Sequence, residues 1–302
     1  MKIYNNANLK KKHCKGVLAI GNFDGIHLGH QKVINDAKKK AIKNKIPFGI
    51  MTFEPVPVMF FNKFLKSHRI NSLDQKISQF KKFNLDFLII IKFDKNFSKL
   101  TAKKFIEKII FKKTKCKYLY VSKNFKFGFK RKGSIKTLKK FEKSFNYKSL
   151  ITKPYKRKNK IISSTLIRKR IREGKIIQVN KLLNRNWTVE GKVIKGQQRG
   201  RKIGFPTCNL KLGNYVIPKL GVYAVKVKTN DFNKDGIANI GYRPTFSGQS
   251  LLLETNIFGI NKNLYNKVIS VCFKKFIRPE KKFKNLENLK KQIKTDIIRA
   301  KK

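Results

Sequence analysis

Two histidines, His27 and His30, stand three residues apart in the glycine-bearing stretch AIGNFDGIHLGHQ at residues 19–31. The stretch follows a short apolar run, and the residues after it have helical spacing, so it joins a strand to a helix. The free N–H groups and the dipole of a helix N-terminus attract anions, and residues three apart on a helix share one face. The pattern therefore predicts a phosphate site that both imidazoles contact.

The histidine pair has two other interpretations, as metal ligands or as ordinary capping of the helix. No cysteine or third histidine stands nearby in the sequence, which disfavours a metal site. Gly21, Gly25 and Gly29 favour a ligand, because a backbone without side chains can approach a bulky group closely.

A second predicted helix opens on three hydroxyl residues, Ser163, Ser164 and Thr165. Its Ile167 and Ile171 have the spacing of an inward face, and Arg168 lies one turn in. Hydroxyl residues before a helix most often serve as N-caps. With Arg168 beside them, a second phosphate clamp becomes the alternative interpretation.

Later in the chain, RGRKIGFPTCNL at residues 199–210 gathers glycine, basic and hydroxyl residues ahead of a strand. That composition suits a loop that closes over phosphates. Glu254, one of only 16 acidic residues in the chain, stands in the otherwise apolar and neutral segment LLLETNIF at residues 251–258. By itself it fits the solvent side of an alternating strand.

The elements that must position these residues change character along the chain. Up to about residue 121, apolar strands (GVLAIG, PFGIMTF, FLIIIKF, KYLYV) alternate with helical patterns near residues 28–40, 74–83 and 101–111. This alternation predicts a parallel sheet covered on both faces, whose ligands lie at the carboxyl ends of the strands. The histidine pair then lies at the edge of the sheet where a ligand is expected to bind.

Beyond about Asn184, short strands separated by Gly, Pro and Asn turns predict a small antiparallel barrel. A closing helix, roughly residues 285–300, should pack against it through apolar residues at helical period. These are Leu286, Leu289, Ile293, Ile297 and Ile298. The predicted domains are residues 1–183 and 184–302, joined closely through LLNRNW at residues 182–187.

Composition bounds the kind of protein. The chain has 302 residues and 40% hydrophobic residues, enough for two cores. It lacks a run of about 18 apolar residues and an apolar N-terminal signal segment, so we expect a soluble cytoplasmic protein that does not bind membranes. The cysteines are far apart and are expected to be reduced; they are Cys14, Cys116, Cys208 and Cys272.

The formal net charge of +58 is spread along the whole chain rather than gathered in one tail. Lysine, isoleucine, asparagine and phenylalanine, whose codons are rich in A and T, are all abundant. We therefore attribute the charge to genome composition and expect no specific nucleic-acid partner, since net charge alone governs only non-specific binding.

The motifs share one resemblance. AIGNFDGIHLGHQ resembles the signature of the HxGH nucleotidyltransferase superfamily, and its GNFDG lead-in resembles bacterial FAD synthetase, a bifunctional riboflavin kinase and FMN adenylyltransferase. TFEPVP (52–57), VSKNFKFGFKRKG (121–133) and ISSTLIRKRIREG (162–174) agree with it in order. RGRKIGFPTCNL resembles the riboflavin kinase element, with Cys208 in place of the usual alanine. The likeness spans nearly all of the chain.

For the first domain, the resemblance implies a Rossmann-like nucleotidyltransferase fold. His27 and His30 would contact the ATP phosphates and stabilise the transition state as the FMN phosphate attacks the α-phosphorus and pyrophosphate leaves. The same ATP element includes Gly21, Phe23, Asp24 and Gly29. The departing phosphates would be held by Ser163, Ser164, Thr165 and Arg168. The flavin side would include Asn124, Phe125 and Phe127, whose aromatic rings could equally be plain core.

For the second domain, the resemblance implies a riboflavin kinase barrel with a closing helix. Its nucleotide and Mg²⁺ site would include Gly204, Thr207 and Asn209, with Thr207 and Asn209 as the metal ligands. Glu254 would be the general base that accepts the proton of the riboflavin 5′-hydroxyl as that oxygen attacks the γ-phosphorus of ATP. Riboflavin, FMN and ATP with Mg²⁺ are then the expected small-molecule partners. The oligomeric state is left open.

Besides Cys208, the sequence departs from the family pattern in two places. Ser122 stands where glycine is usual, and FGINKNLYN at residues 258–266 lacks the acids that relatives carry there. Two rival interpretations remain: a basic RNA-binding protein whose barrel is an OB-like platform, and an enzyme that retains only one activity. The RNA-binding interpretation leaves the histidine pair, Arg168 and Glu254 unexplained.

Overall fold

The computed structural model describes residues 1–157, 160–196, 198–245, 248–260 and 262–302, so Asn261 of the departing segment 258–266 lies outside the described residues. The chain forms two compact units. The first consists of Met1–Lys66 with Leu73–Ser163, and the second of Ser67–Ser72 with Ser164–Lys302. None of the described helices is long and apolar enough to cross a membrane.

The described part of the first unit holds a six-stranded sheet in the order β1-β4-β3-β2-β5-β6, and all of its pairings are parallel. Its strands are β1 (Lys2–Tyr4), β2 (Val17–Ile20), β3 (Phe48–Glu54), β4 (Phe87–Lys92), β5 (Tyr118–Ser122) and β6 (Lys148–Thr152). A small hairpin pairs β7 (Lys156–Arg157) with β8 (Lys160–Ile161). The predicted parallel sheet is confirmed. The prediction omitted the edge strands β1 and β6, which are short and carry no long apolar run.

Both faces of this sheet are buried, because successive side chains of a strand point to opposite faces. Leu18 and Ile20 of β2 belong to one apolar core, and Val17 and Ala19 belong to the other. Helices flank the sheet: α1 (Leu28–Asn44), α2 (Pro57–Phe61), α3 (Leu73–Lys81), α4 (Lys95–Ser98), α5 (Ala102–Phe105) and α6 (Ile135–Lys140). The helix predicted near residues 101–111 is α5 continued by a π-helical segment, Ile106–Thr114.

In the described part of the second unit, a six-stranded sheet runs in the order β10-β13-β12-β11-β14-β9 with antiparallel pairings. Its strands are β9 (Thr188–Lys192), β10 (Cys208–Lys211), β11 (Gly221–Lys228), β12 (Asn233–Thr245), β13 (Gly248–Ile257) and β14 (Val268–Arg278). The Ile194 N–H donates to the Asn209 carbonyl at 2.9 Å, so the chain after β9 pairs with β10. This pairing brings the sheet close to closure and confirms the predicted small antiparallel barrel.

Two helices that precede the barrel in sequence belong to the same unit, α7 (Ser164–Arg172) and α8 (Ile176–Leu183). Asn180 of α8 donates to the Phe273 carbonyl at 2.9 Å and accepts from the Trp187 N–H at 2.8 Å. These bonds tie α8 to β14. Packing therefore divides the chain earlier than the predicted boundary between residues 183 and 184, and that boundary stays a prediction.

The C-terminal helix α10 (Leu286–Lys301) packs against the barrel, as predicted. Ile293, Ile297 and Ala300 contact the apolar cluster of the barrel. Leu286 and Ile298, which the helical period placed on the same stripe, are 53% and 57% exposed, because the buried stripe is narrower than the pattern suggested. A short helix, α9 (Arg199–Lys202), lies in the loop before β10.

A buried ion pair clamps α10 to the end of β14. The guanidinium of Arg278 donates to both carboxylate oxygens of Asp296 at 2.7–3.0 Å, and Gln292 donates to the same carboxylate at 3.0 Å. The Asp296 side chain is only 1% exposed. Removing one partner of such a pair leaves a buried charge uncompensated, so this clamp is a strong local constraint.

Candidate active sites

The first candidate site is the turn between β2 and α1, where the chain leaves the carboxyl edge of the parallel sheet. Its backbone takes positive φ at Phe23 (48°), Gly25 (86°) and Ile26 (38°). Glycine adopts such angles readily, whereas a β-branched residue such as Ile26 does so only under strain. Strained backbone persists where surrounding contacts enforce it, and it is common at functional sites.

Two buried side chains hold this turn, and neither was predicted. The carbonyl oxygen of Asn22 accepts hydrogen bonds from Thr52 Oγ1 and from Lys76 Nζ, each at 3.2 Å. Thr52 is 0% exposed, and Lys76, at 1%, is the one buried lysine in the described part of the chain. A buried ammonium group requires polar partners. The sequence could not single out Lys76 because lysine occurs throughout, and the bond joins residues 54 positions apart.

The two histidines are brought together at the start of α1. His27 caps the helix, with its Nδ1 accepting the His30 N–H at 3.3 Å. The two imidazole rings stack with centroids 3.7 Å apart and planes 17° apart. Since Nδ1 of His27 accepts, the ring proton lies on the other nitrogen, Nε2. Capping by Nδ1 therefore does not by itself exclude the predicted phosphate contact, which would use the other ring nitrogen.

The neighbouring predicted residues fit this turn sterically. Phe23 is 1% exposed, and its ring packs edge-on against His30, with centroids 5.3 Å apart. A side chain at Gly21 would begin 3.2 Å from the Phe23 ring, and one at Gly29 would begin 3.1 Å from the His27 ring. Asp24 is buried in the same turn. Within the described residues, no group of three or more His, Cys, Asp or Glu side chains gathers as a metal site.

The segment after β5 places its aromatic residues in the core. Phe127 is 8% exposed, and its ring lies 5.4 Å from that of Phe105. Phe125, which is half-buried, stacks on Phe127 with centroids 5.5 Å apart and planes 17° apart. Asn124 is exposed. Their expected role at the flavin stays a prediction.

The division of the chain into two units falls within the hydroxyl segment before α7, since Ser163 ends the first unit and Ser164 begins the second. Ile167 and Ile171 are fully buried, which confirms the predicted inward face of the helix. The Arg168 Nε donates to the His68 carbonyl at 2.9 Å. Thr165 is exposed. The expected phosphate contacts of this segment stay predictions.

The second candidate site lies on one face of the barrel sheet. Glu254 of β13 stands opposite Asn209 of β10 on one side and opposite Asn239 of β12 on the other. Directly opposed residues of antiparallel strands point to the same face, so the three side chains share it. The Glu254 Oε2 accepts from Arg243 at 2.8 and 3.1 Å, and no hydrogen bond from a described residue reaches its Oε1. Burial lowers the pKa of Arg243, but the hydrogen bonds that it donates to Glu254 and Glu280, together with the negative charges of those carboxylates, outweigh burial and raise the pKa.

The same face opens into a cavity of about 980 Å³. Polar groups on its wall include Lys195, Thr207, Asn209 and Glu254, whereas Phe283, Leu289 and Ile293 form an apolar part. The loop that carries the predicted Gly204 requires glycine there, because φ is 88°. The predicted kinase residues Thr207, Asn209 and Glu254 are thus brought to one cavity.

Asn209 provides a test of the expected metal. Its Oδ1 is buried and has no hydrogen-bond partner among the described residues. Amide and hydroxyl oxygens are ligands suited to Mg²⁺, and Thr207, the other predicted ligand, lines the same cavity. The residues therefore fit the ion.

Cys208, the departure from the usual alanine, is accommodated without strain. Its thiol donates to the Thr255 carbonyl at 3.4 Å. Burial raises the pKa of the Cys208 thiol to about 12, so the group stays neutral at physiological pH. The described thiols are all free.

Two protein families match successive parts of the chain, in the same order as the motifs. The FAD synthetase family matches residues 9–166, and the riboflavin kinase family matches residues 183–302. The bifunctional riboflavin kinase/FMN adenylyltransferase of Buchnera aphidicola subsp. Schizaphis graminum is 41% identical over 98% of this chain and 96% of its own. The enzyme of the same description from Escherichia coli is 33% identical over 99% and 95%.

A relative from Bacillus subtilis, also described as a bifunctional riboflavin kinase/FMN adenylyltransferase, is 36% identical over 95% of this chain and 92% of its own. Among solved structures, a Streptococcus pneumoniae protein described as a macrolide-efflux protein is 29% identical. It matches with a TM-score of 0.87 over 99% of this chain and 98% of that chain.

Proposed function

This chain belongs to the bifunctional riboflavin kinase/FMN adenylyltransferase family, and we propose that its two reactions use the two sites described above. The enzyme phosphorylates riboflavin to FMN with ATP and adenylylates FMN to FAD with release of pyrophosphate. The kinase reaction is assigned to the cavity at Glu254, and adenylyl transfer to the turn at His27 and His30.

Riboflavin phosphorylation needs a group that removes a proton from a hydroxyl. Glu254 accepts the proton of the riboflavin 5′-hydroxyl as that oxygen attacks the γ-phosphorus of ATP and ADP leaves. The observation that carries this assignment is the carboxylate itself: one oxygen is held by Arg243, and the other has no bond from a described residue. Thr207 and Asn209 would hold Mg²⁺, which when bound neutralises charge on the nucleotide phosphates.

Different parts of the cavity wall suit different parts of the two substrates. Lys195 and Thr207 present cationic and hydroxyl groups suited to phosphates. Phe283, Leu289 and Ile293 present an apolar surface suited to the flavin ring. The ribityl chain would then carry its terminal hydroxyl to Glu254.

Adenylyl transfer needs no comparable base. The phosphate of FMN is already largely ionised at neutral pH, because the second pKa of a phosphate monoester is about 6. The requirement is stabilisation of charge on the α-phosphoryl oxygens and on the departing pyrophosphate. His27 Nε2, His30 and the N-terminus of α1 supply donors and a favourable dipole for this charge.

The remaining expected residues have supporting roles in this proposal. Gly21, Phe23, Asp24 and Gly29 shape the turn. Departing phosphates are assigned to Ser163, Ser164, Thr165 and Arg168, and the flavin of this step to Asn124, Phe125 and Phe127. We also expect a cytoplasmic enzyme, and its free cysteines are consistent with a reducing compartment.

The test of this assignment is Glu254→Gln, assayed separately with riboflavin and with FMN. We expect riboflavin phosphorylation to fall by about 10²–10⁴-fold, the usual contribution of a general base. FAD formation from added FMN should continue at the wild-type rate. Near wild-type phosphorylation in this variant, resolved by chromatography of the flavins, would contradict the assignment of Glu254.

A further inference from the structure

A network of hydrogen bonds extends from Glu254 to the end of strand β14. Arg243 donates to Glu254 Oε2 through Nη2 at 2.8 Å and through Nε at 3.1 Å. Its Nη1 donates to Glu280 Oε1 at 3.2 Å and to the Tyr242 carbonyl at 3.0 Å. Asn239 Nδ2 also donates to Glu280 Oε1, at 3.1 Å. The guanidinium of Arg243 is thus held from two sides.

The regular register of β12 and β13 creates this arrangement. Asn239 stands opposite Glu254, and Arg243 lies four residues further along β12 on the same face. Gly241 lies between them. A side chain there would collide with the Glu280 carboxylate and would begin 2.7 Å from Arg243 Nη1. The glycine therefore leaves the space in which Arg243 meets Glu280.

The two carboxylate oxygens of Glu254 differ in their hydrogen bonds. Arg243 takes up Oε2 with two N–H groups, and no described residue donates to Oε1. The Glu254 side chain is only 28% exposed, and that of Arg243 only 30%, so water screens this pair less than it would an exposed one. A guanidinium that donates twice fixes the direction of a carboxylate as well as its charge.

We propose that Arg243 is a positioning residue for riboflavin phosphorylation: it fixes Glu254 so that Oε1 is left to the substrate hydroxyl, while Glu280 and Asn239 hold Arg243 in place. The inference rests on the assignment of Glu254 as the base. Arg243, Glu280 and Asn239 need not touch either substrate in this proposal. They set the geometry of Glu254, which does. A displacement of about 1 Å in such a group can lower a rate by about 10²-fold.

The experiment compares Arg243→Met, Arg243→Lys and Gly241→Ala in the full-length enzyme. We expect Arg243→Met to lower kcat for riboflavin phosphorylation by about 10²-fold, with KM for riboflavin changed by less than about threefold. Arg243→Lys should recover part of kcat, because lysine restores the charge but not the fork of donors. Gly241→Ala should also lower kcat, since its methyl group displaces the Arg243–Glu280 contact while every charge remains.

Lys274→Met is the matched control. It removes the cation of a 3.5 Å ion pair with Asp235 on the same barrel, outside the cavity, and should leave kcat unchanged. FAD formation from FMN should be unchanged in every variant. The fluorescence of Trp187, which is buried in the barrel unit, shows separately that the barrel is folded.

Three results would overturn the inference: a kcat of Arg243→Met within threefold of wild type, a change confined to KM, or an equal loss in Lys274→Met. Glu254→Gln separates this failure from failure of the proposed function. If Glu254→Gln abolishes phosphorylation while Arg243→Met does not, only the positioning role is wrong. If Glu254→Gln remains active, the assignment of the base itself is wrong.

Discussion

The two candidate sites are built from opposite kinds of backbone. The first lies on a turn with positive φ at Phe23 and Ile26, where Thr52 and Lys76 donate hydrogen bonds to the turn's backbone. The second lies on the regular face of an antiparallel sheet, where register alone aligns Asn209 and Glu254. The chemistry explains the contrast. Adenylyl transfer from ATP to an ionised phosphate requires donors converging on one point, which a turn at a helix N-terminus provides.

Phosphorylation of a hydroxyl requires instead one oriented carboxylate. A sheet face supplies that orientation, because neighbouring strands fix side chains at set spacings. The carboxylate can then be supported by cross-strand contacts such as that from Arg243. The two sites should therefore respond to different kinds of substitution.

The largest effect is expected from replacing both histidines of the turn. His27→Ala combined with His30→Ala removes two donors from the adenylyltransferase site, where loss of one such donor typically costs about 10²–10³-fold in kcat. We expect FAD formation from FMN to fall by about 10³-fold or more, and riboflavin phosphorylation to stay at the wild-type rate. Chromatography should show that FMN accumulates. An equal loss of riboflavin phosphorylation would mean that the two reactions do not use separate sites.

The next effect concerns the clamp on the barrel. Arg278→Met leaves Asp296 buried without its cation, which should lower the free energy of unfolding of the second unit by about 3–5 kcal/mol. Trp187, the only tryptophan, is buried in this unit and reports its unfolding through fluorescence. Lys291→Met is the control, because its ion pair with Glu287 is about three-quarters exposed. A loss as small as that of the control would show that the clamp does not stabilise the barrel.

A smaller effect is expected at the proposed metal ligand. Asn209→Ala removes a buried oxygen that has no hydrogen-bond partner among the described residues, and we expect the Mg²⁺ concentration needed for half-maximal phosphorylation to rise by about tenfold. The Mg²⁺ requirement of FAD formation from FMN should not change. Titration of Mg²⁺ in the two separate assays measures both. An unchanged requirement for phosphorylation would remove Asn209 from the metal site.

The smallest effect tests the support of the turn. Thr52→Val deletes a buried hydroxyl that donates to Asn22, at a cost of about 1 kcal/mol, and should lower FAD formation severalfold. Thr114→Val is a matched control, since Thr114 is also buried and donates to the Ile110 carbonyl at 2.8 Å. Both variants should lose similar stability, but only Thr52→Val should lower adenylylation. Equal rates in the two variants would show that the turn does not depend on Thr52.

The sequence revealed the parts of the fold that local pattern controls. Apolar strands and helical spacing were sufficient for the parallel sheet and the barrel, because periodicity follows directly from burial. The local motif singled out His27, whereas only the family resemblance singled out Glu254, which by itself fits the solvent side of an alternating strand. Edge strand β1 was not predicted, because its three residues are too few to show a period.

The supporting residues could not be predicted because their contacts are long-range. Lys76 reaches Asn22 across 54 positions, and Arg243 reaches Glu254 only through the register of two strands. Lys76 has no distinctive neighbour in the chain, and Arg243 stands in GIANIGYRPTF at residues 236–246, which resembles the family but does not give Arg243 a role. That helices α7 and α8 belong to the barrel unit could not be predicted either, because the contacts of Asn180 with Phe273 and Trp187 are tertiary.

The most direct test of two separate sites is complementation between two defective enzymes. Glu254→Gln alone and the His27→Ala, His30→Ala variant alone should each fail to make FAD from riboflavin, ATP and Mg²⁺. Mixed in one tube, they should make FAD, because FMN released by the histidine variant is a substrate for the glutamine variant. If the mixture produced no FAD and each variant had lost both reactions, the two activities would share one site, contrary to this account.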